Sequence, residues 1–398
     1  NLTFPPNWDV KNISMNDAKP ISDEEIRTKI LNPSSSQRLK ELVKGKSKPV
    51  IVIDDLHRPT ESYRIIPIIL KEMTDAGIET EQIDILVSLG AHRPMSREDL
   101  EKKIGKDMVN TLKVYNHNPY ENLKLIGKSS LGEPLYLNRF LVESDMKIII
   151  GSVIPHPYAG FGGGAKLILP GLAGIDTIEQ NHKLAYAGKS GTIGIVEGNE
   201  GRDEMENTAK MVGIDFSVNT VSNSKGQTAG IFTGGLTESY CEAVKYAQEV
   251  YATNVPYNLD VGVFNAFPKD NGVVQSFSAL NVWSTHNENK QVVKPGGTIV
   301  ICSSSPDGVG YHGLTDKGMR LHIRRDKHGS FKHILSNRKI IFFSPTLIRK
   351  DIQDFLPETT LLCRKWSLVV EELKKTYSTK IEVGVFPSGP LQIDKHVF

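Results

Sequence analysis

The chain has 398 residues, of which 39% are hydrophobic and 24% are charged. This length and composition are typical of a globular protein with a sizeable core, and they exclude a disulfide-stapled miniprotein or a disordered chain. The 48 basic and 46 acidic side chains give a formal net charge of +2, so there is no general electrostatic reason to bind nucleic acid or a membrane surface.

The cysteines lie far apart and form no CxxC pair, which argues against a disulfide framework or a thiolate zinc site: Cys241, Cys302 and Cys363. Residues 1–8 are polar and contain proline, without the basic-then-apolar pattern of a signal peptide. No apolar run approaches the roughly 18 to 20 residues of a spanning helix. We therefore expect reduced thiols and a cytoplasmic protein.

Short apolar runs alternate along the chain with longer amphipathic stretches. The runs predict strands at residues 49–54, 83–89, 113–116, 146–154, 260–264, 297–302, 339–343 and 380–386. The amphipathic stretches predict helices at residues 63–76, 98–105, 177–187, 236–252 and 366–377. Several of these strands are almost entirely apolar, which is typical of parallel strands covered on both faces. The pattern predicts an α/β fold with mainly parallel sheets.

A domain boundary is predicted where a long helix ends and residues 252–258 lead into a new series of strands. This divides the chain into an N-terminal α/β domain over 1–253 and a C-terminal α/β domain over 254–398. We expect the active site in the cleft between them. Ligands of open α/β sheets bind beyond the carboxyl ends of the strands, so the residues that follow each strand are the ones to inspect.

Histidines follow three of the predicted strands in the N-terminal domain. The strands lead into DDLHRPT at 54–60, GAHRP at 90–94 and Pro-His-Pro at 155–157. A single such histidine is more often a chance occupant of a surface loop. Three of them after core strands favour a shared site.

The segment GFGGGAK at 160–166 follows the third of these strands. Its spacing matches the dinucleotide fingerprint, but the proline and glycine at 170–171 would interrupt the long helix that should follow. Lys166 also lacks the next serine or threonine of a Walker A loop. Consecutive glycines can direct backbone N–H groups at an anion, and a lysine adds positive charge, so the segment predicts a phosphate site. A purely structural turn remains the alternative.

A predicted helix begins near Asp176 and presents His182 about two turns later. No second histidine lies three or four residues away to complete a zinc pair. From spacing alone, a structural histidine is the more ordinary interpretation.

Taken together, these motifs resemble the nickel-dependent lactate racemase family over most of the chain. The resemblance lies in the order and spacing of DDLHRPT, GAHRP, HPYAGFGGGAK at 156–166 and His182. It implies a pyridinium mononucleotide with two sulfur-bearing arms that hold nickel, the nickel-pincer nucleotide, attached to Lys166 through a thioamide. His182 would be the nickel ligand, and the nucleotide phosphate would lie on a glycine loop formed by Gly160, Gly162, Gly163 and Gly164.

The resemblance also assigns catalytic and substrate-binding residues. Racemising a 2-hydroxy acid by hydride removal avoids a carbanion and needs a base for the hydroxyl proton. His92 and His156 match the family's pair of bases. Arg58 matches the arginine that contacts the substrate carboxylate, for which a guanidinium is well suited. Asp55 would contact the substrate or orient the arginine, and a structural role is equally open.

The chain departs from the family pattern at two positions. His57 stands where the family more often has threonine or serine. Gln275 matches a substrate-binding glutamine, but Ser278 stands where lactate racemases place a lysine. Loss of this cation favours a 2-hydroxy acid larger than lactate, such as a sugar acid, in a pocket lined by Lys269, Trp283 or His286.

The preferred interpretation is an isomerase, a racemase or epimerase at C2 of a 2-hydroxy acid. It would need cofactor biosynthesis enzymes for activation, and it has no nucleic acid or membrane partner. One alternative is an NAD-dependent 2-hydroxy acid dehydrogenase that uses the fingerprint at 160–165. A second is a non-catalytic protein that binds a small anion or nucleotide.

Overall fold

The computed structural model describes residues 2–186, 192–283, 290–322 and 330–398. The chain forms two compact units, a central unit of residues 18–250 and a terminal unit of residues 1–17 and 251–398. The predicted N-terminal domain therefore needs correction at its start. The first 17 residues belong with the C-terminal half, because strand β1 (Asp9–Asn12) pairs in parallel with residues 382–385.

The strands of the central unit include all four that the sequence predicts there. In chain order they are β2 (Pro49–Asp54), β3 (Asp84–Ser88), β4 (Lys113–Asn116), β5 (Leu123–Lys128), β6 (Pro134–Asn138), β7 (Met146–Ser152), β8 (Pro155–His156), β9 (Gly160–Phe161), β10 (Phe216–Ser222) and β11 (Thr228–Gly234).

Among the described residues, the main sheet of the central unit has the order β11-β10-β7-β2-β3-β4. Its strands are parallel apart from the antiparallel pair β10–β11. Strands β3 and β7 flank β2 on opposite sides, so the strand order reverses at β2. A reversal of this kind opens a crevice beyond the carboxyl ends of the strands, where ligands of such sheets bind.

Helices cover the central sheet, and their apolar residues recur at helical spacing. In chain order they are α1 (Asp23–Leu31), α2 (Leu39–Leu42), α3 (Ser62–Thr74), α4 (Arg97–Ile104), α5 (Lys106–Thr111), α6 (Arg139–Glu143), α7 (Ile175–Tyr186), α8 (Glu200–Val212) and α9 (Leu236–Tyr251). In α3, for example, Ile65, Ile69 and Met73 are buried against the strands. Serine capping boxes begin α1 and α4.

The terminal unit contains a second parallel sheet. Besides β1, the strands of this unit are β12 (Ala252–Thr253), β13 (Leu259–Asn265), β14 (Val293–Cys302), β15 (Lys339–Phe343), β16 (Leu361–Cys363), β17 (Glu382–Phe386) and β18 (Ile393–Asp394). Its helices are α10 (Val273–Ser276), α11 (Ser330–Leu335), α12 (Arg349–Ile352) and α13 (Trp366–Thr376). The described sheet order is β1-β17-β13-β14-β15-β16, with parallel pairing throughout.

The predicted α/β class with mainly parallel sheets is confirmed. Of the strands in the two six-stranded sheets, the sequence missed β1, β16 and the pair β10–β11, which are short or rich in polar residues. None of the helices in the described part of the chain combines the length and apolar character that crossing a bilayer requires.

Candidate active site

Asp55 and His92 form a buried pair beyond the carboxyl ends of β2 and β3. Asp55 Oδ2 lies 2.5 Å from His92 Nδ1, and both side chains are largely buried. A carboxylate can only accept, so His92 carries its proton on Nδ1 and its lone pair on Nε2. The dyad therefore holds His92 in a form that can accept a proton through Nε2.

The environment of the dyad keeps His92 neutral and Asp55 charged. Burial lowers the pKa of His92 to about 4, although the neighbouring Asp55 opposes this shift. Burial also disfavours the charge of Asp55, but His57 and His92 outweigh it and hold the pKa of Asp55 well below its usual range. At neutral pH the pair is a carboxylate bound to a neutral imidazole.

His57 lies beside the same carboxylate. Its backbone N–H donates to Asp55 Oδ1 at 2.9 Å, and its Nδ1 lies 3.3 Å from Asp55 Oδ2. The rings of His57 and His92 are 4.8 Å apart between centroids. Within the described residues, the buried Nδ1 of His57 has no hydrogen-bond partner.

Lys103 fixes the loop that carries these residues. Its Nζ lies 2.5 Å from Asp54 Oδ1 and donates to the carbonyls of Asp55 and Arg58 at 3.0 and 3.1 Å. The Lys103 side chain is only 2% exposed. The other Asp54 oxygen accepts from Thr60 Oγ1 at 2.6 Å and from the Ser152 N–H at 2.9 Å. One charged cluster thus joins β2, α4 and β7 beneath the site.

Arg58 lies close to the dyad and to Lys166. Its guanidinium donates to the His57 carbonyl at 3.1 Å. Its positive charge helps to lower the pKa values of both His92 and Lys166. The charge of the predicted substrate-binding arginine therefore acts on the predicted attachment lysine.

His156 is held in the opposite tautomer to His92. Its Nδ1 accepts from the backbone N–H groups of Tyr158 and Ala159, both at 3.2 Å. The proton of the neutral ring therefore lies on Nε2. Tyr158, which the sequence did not single out, makes edge-on contacts with the rings of His156 and His182, each with centroids 5.6 Å apart.

Lys166 lies in a short 3-10 helix, Gly164–Leu167, next to these histidines. Burial and then Arg58 lower its pKa to about 7, with Asp55 opposing the shift. Burial and then Lys166 lower the pKa of His182 to about 4. His182 Nδ1 bonds the Ile178 carbonyl at 2.9 Å, which places the His182 lone pair on Nε2.

The glycine loop does not direct all its N–H groups outward as predicted. The Gly162 N–H donates to the Ile154 carbonyl at 2.7 Å, and the Gly164 N–H donates to Asn219 Oδ1 at 3.0 Å. These two donors are already used within the protein. Close packing is a second reason for glycine here, since a Cβ on Gly164 would lie 2.8 Å from Arg202 Nη2.

Arg202 and Asn219 hold this loop and were missed by the sequence analysis. Arg202 Nη1 donates to the Gly163 carbonyl at 3.2 Å, while its guanidinium lies 3.7 Å from the centre of the Tyr240 ring. Asn219 Nδ2 donates to two serine hydroxyls, on Ser217 and Ser239. Arg202 belongs to α8 and Asn219 to β10, and the sequence predicted neither element.

Gly160 should not tolerate a side chain. Its φ is +69°, and a Cβ there would collide with the Ile195 carbonyl oxygen. Gly160→Ala should therefore lower the free energy of unfolding by about 1–3 kcal/mol beyond the cost of the backbone angle. Gly198→Ala is the matched control, because Gly198 has the same φ of +69° and its Cβ would meet no described atom within 4 Å. Equal losses for the two variants in urea denaturation would contradict the steric explanation.

The glycine loop also lacks the structural context of a dinucleotide fingerprint. The fingerprint requires a strand that turns directly into a helix. Here the two-residue strand β9 leads into the 3-10 helix Gly164–Leu167 instead. This geometry disfavours the alternative of an NAD-dependent dehydrogenase that uses residues 160–165.

The remaining predicted residues lie in the terminal unit. Gln275 belongs to α10, and Ser278 lies one turn later in the 3-10 helix Phe277–Val282; both are half-buried. Lys269 is buried, and Trp283 packs in the hydrophobic core beneath Arg338, which does not fit a residue lining an open pocket. His286 lies outside the described residues.

Comparisons with known proteins agree with the motifs. Residues 1–194 match a family model described as the lactate racemase N-terminal domain. The lactate racemase of Thermoanaerobacterium thermosaccharolyticum is 30% identical over 303 residues, which cover 74% of this chain and 68% of that protein. The lactate racemase of Lactiplantibacillus plantarum is 30% identical over 307 residues, which cover 74% of this chain and 70% of that protein.

Two solved structures share the fold. The lactate racemase apoprotein from T. thermosaccharolyticum has a TM-score of 0.76 and 23% identity, over 98% of this chain and 96% of that chain. A Thermotoga maritima protein has a TM-score of 0.68 and 18% identity, over 95% of this chain and 99% of that chain. Together with the sequence matches, these findings show that the chain belongs to the lactate racemase family.

Proposed function

We propose that the protein is a racemase or epimerase at C2 of a 2-hydroxy acid, and that it uses a nickel-pincer nucleotide attached to Lys166. Family membership supports the racemase class. The observation that carries the proposal is the grouping of the Asp55–His92 dyad, Arg58, Lys166 and His182 in one electrostatic environment beyond the central sheet.

The chain's residues fit the group that the family resemblance implies. With a pKa of about 7, Lys166 presents a substantial fraction of free amine at neutral pH, as covalent attachment requires. His182 is neutral, and the hydrogen bond of its Nδ1 to Ile178 leaves the lone pair on Nε2, the form that ligates a metal. Lys166 would hold the nucleotide and His182 the nickel, and the bound group would supply a reversible hydride acceptor.

The remaining roles follow from charge and tautomer. Arg58 binds the substrate carboxylate, and its position next to the dyad brings the C2 hydroxyl to His92. His92 Nε2 accepts the hydroxyl proton, and Asp55 stabilises the imidazolium that forms. Neutral His156 presents its Nε2–H to the C2 oxygen, and once it has taken up a second proton as an imidazolium it can protonate that oxygen when the hydride returns, giving the other enantiomer or epimer. A two-base racemase requires such a pair, one histidine that accepts the hydroxyl proton and one that donates a proton.

The substrate in this proposal is larger than lactate. Lactate racemases of this family place a lysine at the position of Ser278, and a serine leaves both more space and less positive charge. Gln275, three residues earlier in the chain, matches the substrate-binding glutamine that the family resemblance implies.

The test is to co-express the chain with the cofactor-making enzymes in the presence of nickel and to measure its intact mass. We expect an adduct of cofactor mass that peptide mapping assigns to Lys166 and that Lys166→Ala lacks. A known family member that acquires the cofactor in the same host is the control for cofactor supply; protein that carries the cofactor is called loaded. An unmodified chain beside a loaded control would overturn the proposed cofactor and favour the binding-protein alternative.

The loaded enzyme then identifies the substrate by chiral chromatography of lactate and of longer 2-hydroxy acids, including sugar acids, without added NAD. Interconversion of a longer acid in preference to lactate is the expected result. Preference for lactate would overturn the larger substrate while leaving the racemase proposal intact.

A further inference from the structure

The strongest feature left unexplained is the orphaned nitrogen of His57. His57 Nδ1 is buried, faces Asp55 Oδ2 at 3.3 Å, and has no hydrogen-bond partner among the described residues. An unpaired polar atom in this position costs free energy unless something binds it. The proposed function gives His57 no role, so that function does not account for this atom.

The donor atoms around His57 form a compact set. One atom each from Asp55, His57 and His92 lies within 4.8 Å of the other two. Two imidazole nitrogens and one carboxylate oxygen suit zinc and similar divalent transition metals. The 3.3 Å between His57 Nδ1 and Asp55 Oδ2 matches the separation of neighbouring ligands around a tetrahedral ion with bonds of about 2.0–2.1 Å. His92 Nδ1 and Asp55 Oδ2 are closer, at 2.5 Å, so these two atoms move apart when the ion binds.

We propose that Asp55, His57 and His92 form a binding site for a divalent transition-metal ion of the zinc class, distinct from the position of His182. The ion takes the place of the proton between His92 Nδ1 and Asp55, and the neutral His92 ring carries its single proton on Nε2 instead, so no net proton is released. No electron is transferred. Both imidazoles then coordinate through their lone pairs, and the orphaned His57 nitrogen gains its partner.

Charges near the site set the expected strength of binding. Asp55 supplies one negative charge, whereas Arg58 and Lys166 are nearby cations that disfavour an added ion. Removing the carboxylate charge in Asp55→Asn should therefore weaken zinc binding.

A bound ion would also affect the proposed reaction. It occupies the His92 nitrogen through which Asp55 orients that ring, so zinc should inhibit the loaded enzyme. This consequence rests on the proposed function. Binding of the ion itself does not, and it can be measured on the chain before any cofactor is attached.

The experiment titrates Zn²⁺ into tag-free, unloaded chain in competition with a chromophoric chelator. His57→Ser is the main variant, because serine is small and polar and the substitution removes the imidazole ligand. Loss of even an outer-sphere partner typically weakens a metal site roughly 10–100-fold. We therefore expect His57→Ser to raise the Kd of one bound Zn²⁺ ion at least about tenfold. Asp55→Asn should raise the Kd of the same ion.

Two matched variants locate the ion. His182→Asn removes the predicted nickel ligand, and His396→Asn removes an exposed histidine in the terminal unit. Both variants should bind this Zn²⁺ ion with the affinity of the unsubstituted chain. Unchanged zinc affinity in His57→Ser, or loss of the ion in His182→Asn, would overturn the site. Circular dichroism of each variant confirms that it is folded, and failure of the racemase assay leaves this result unaffected.

Discussion

Replacing Asp55 with asparagine should lower kcat of the loaded enzyme by roughly 10²–10⁴-fold. The carboxylate fixes the proton of His92 on Nδ1 through the 2.5 Å contact and so places the lone pair on Nε2, the nitrogen that acts as a base. An asparagine can instead donate its amide N–H to Nδ1, which moves the ring proton to Nε2. His92 would then be held in the wrong tautomer for accepting a proton.

The pH profile distinguishes this role from a structural one. His92 must be neutral to act as a base, and its pKa is about 4. The value of kcat/KM should therefore be constant above about pH 5 and fall as the pH decreases through about 4. Asp55 raises the pKa of His92 against the larger effect of burial, so Asp55→Asn should move this acid limb to lower pH. A merely structural defect would reduce the rate without moving the limb.

Asp84→Asn provides the matched control. Asp84 lies at the start of β3, at the end of the sheet opposite to the site, and the substitution makes the same chemical change. We expect its kcat to stay within a few-fold of the unsubstituted enzyme. Retention of full turnover by Asp55→Asn, with the tautomer of His92 unchanged in ¹⁵N NMR, would exclude the dyad as the base.

The strands that position the site could be predicted from the sequence because they are almost entirely apolar. The apolar runs of β2, β3 and β7 identify strands covered on both faces, and consecutive parallel strands place their following loops at one edge of the sheet. Asp55 and His92 could therefore be expected to lie close together. Which nitrogen of His92 carries the proton depends on atomic contacts that spacing does not contain.

Residues that hold the site in place were harder to predict. Lys103 lies in the charged sequence REDLEKKI, which is typical of an exposed helix, yet its ammonium is buried against Asp54. Asn219 interrupts a strand of mixed polar and apolar residues, FSVNTVS, so the strand itself was missed. In both cases the polar side chain is buried against partners that include residues far away in the sequence. The local sequence pattern therefore does not predict the burial.

The glycine loop and β1 show two further limits. Consecutive glycines are compatible both with open N–H groups and with close packing, and the structure uses the N–H groups of Gly162 and Gly164 internally. Strand β1 is short and mostly exposed, with the sequence DVKN, and it forms because β17 offers it an edge. Neither outcome could be predicted without knowing the neighbouring elements.

Lys103→Met should lower the free energy of unfolding of the unloaded chain by about 3–5 kcal/mol, because it leaves Asp54 charged and buried without its cation. The Lys103 ammonium is almost fully buried and lies 2.5 Å from the Asp54 carboxylate. Urea denaturation followed by circular dichroism measures the loss. Lys102→Met is the matched control, since the neighbouring side chain is exposed and its replacement should change stability by less than about 0.5 kcal/mol.

The double variant Asp54→Asn/Lys103→Met separates the charge from the positioning role of the lysine. Removing both charges should restore much of the stability, because a neutral pair leaves no buried ion. It should not restore activity of the cofactor-bearing enzyme, since the ammonium also holds the carbonyls of Asp55 and Arg58 within the loop that follows β2. Recovery of stability and kcat together would show that Lys103 acts only as a counterion. Recovery of stability alone would show that it sets the geometry of the dyad and the carboxylate-binding arginine.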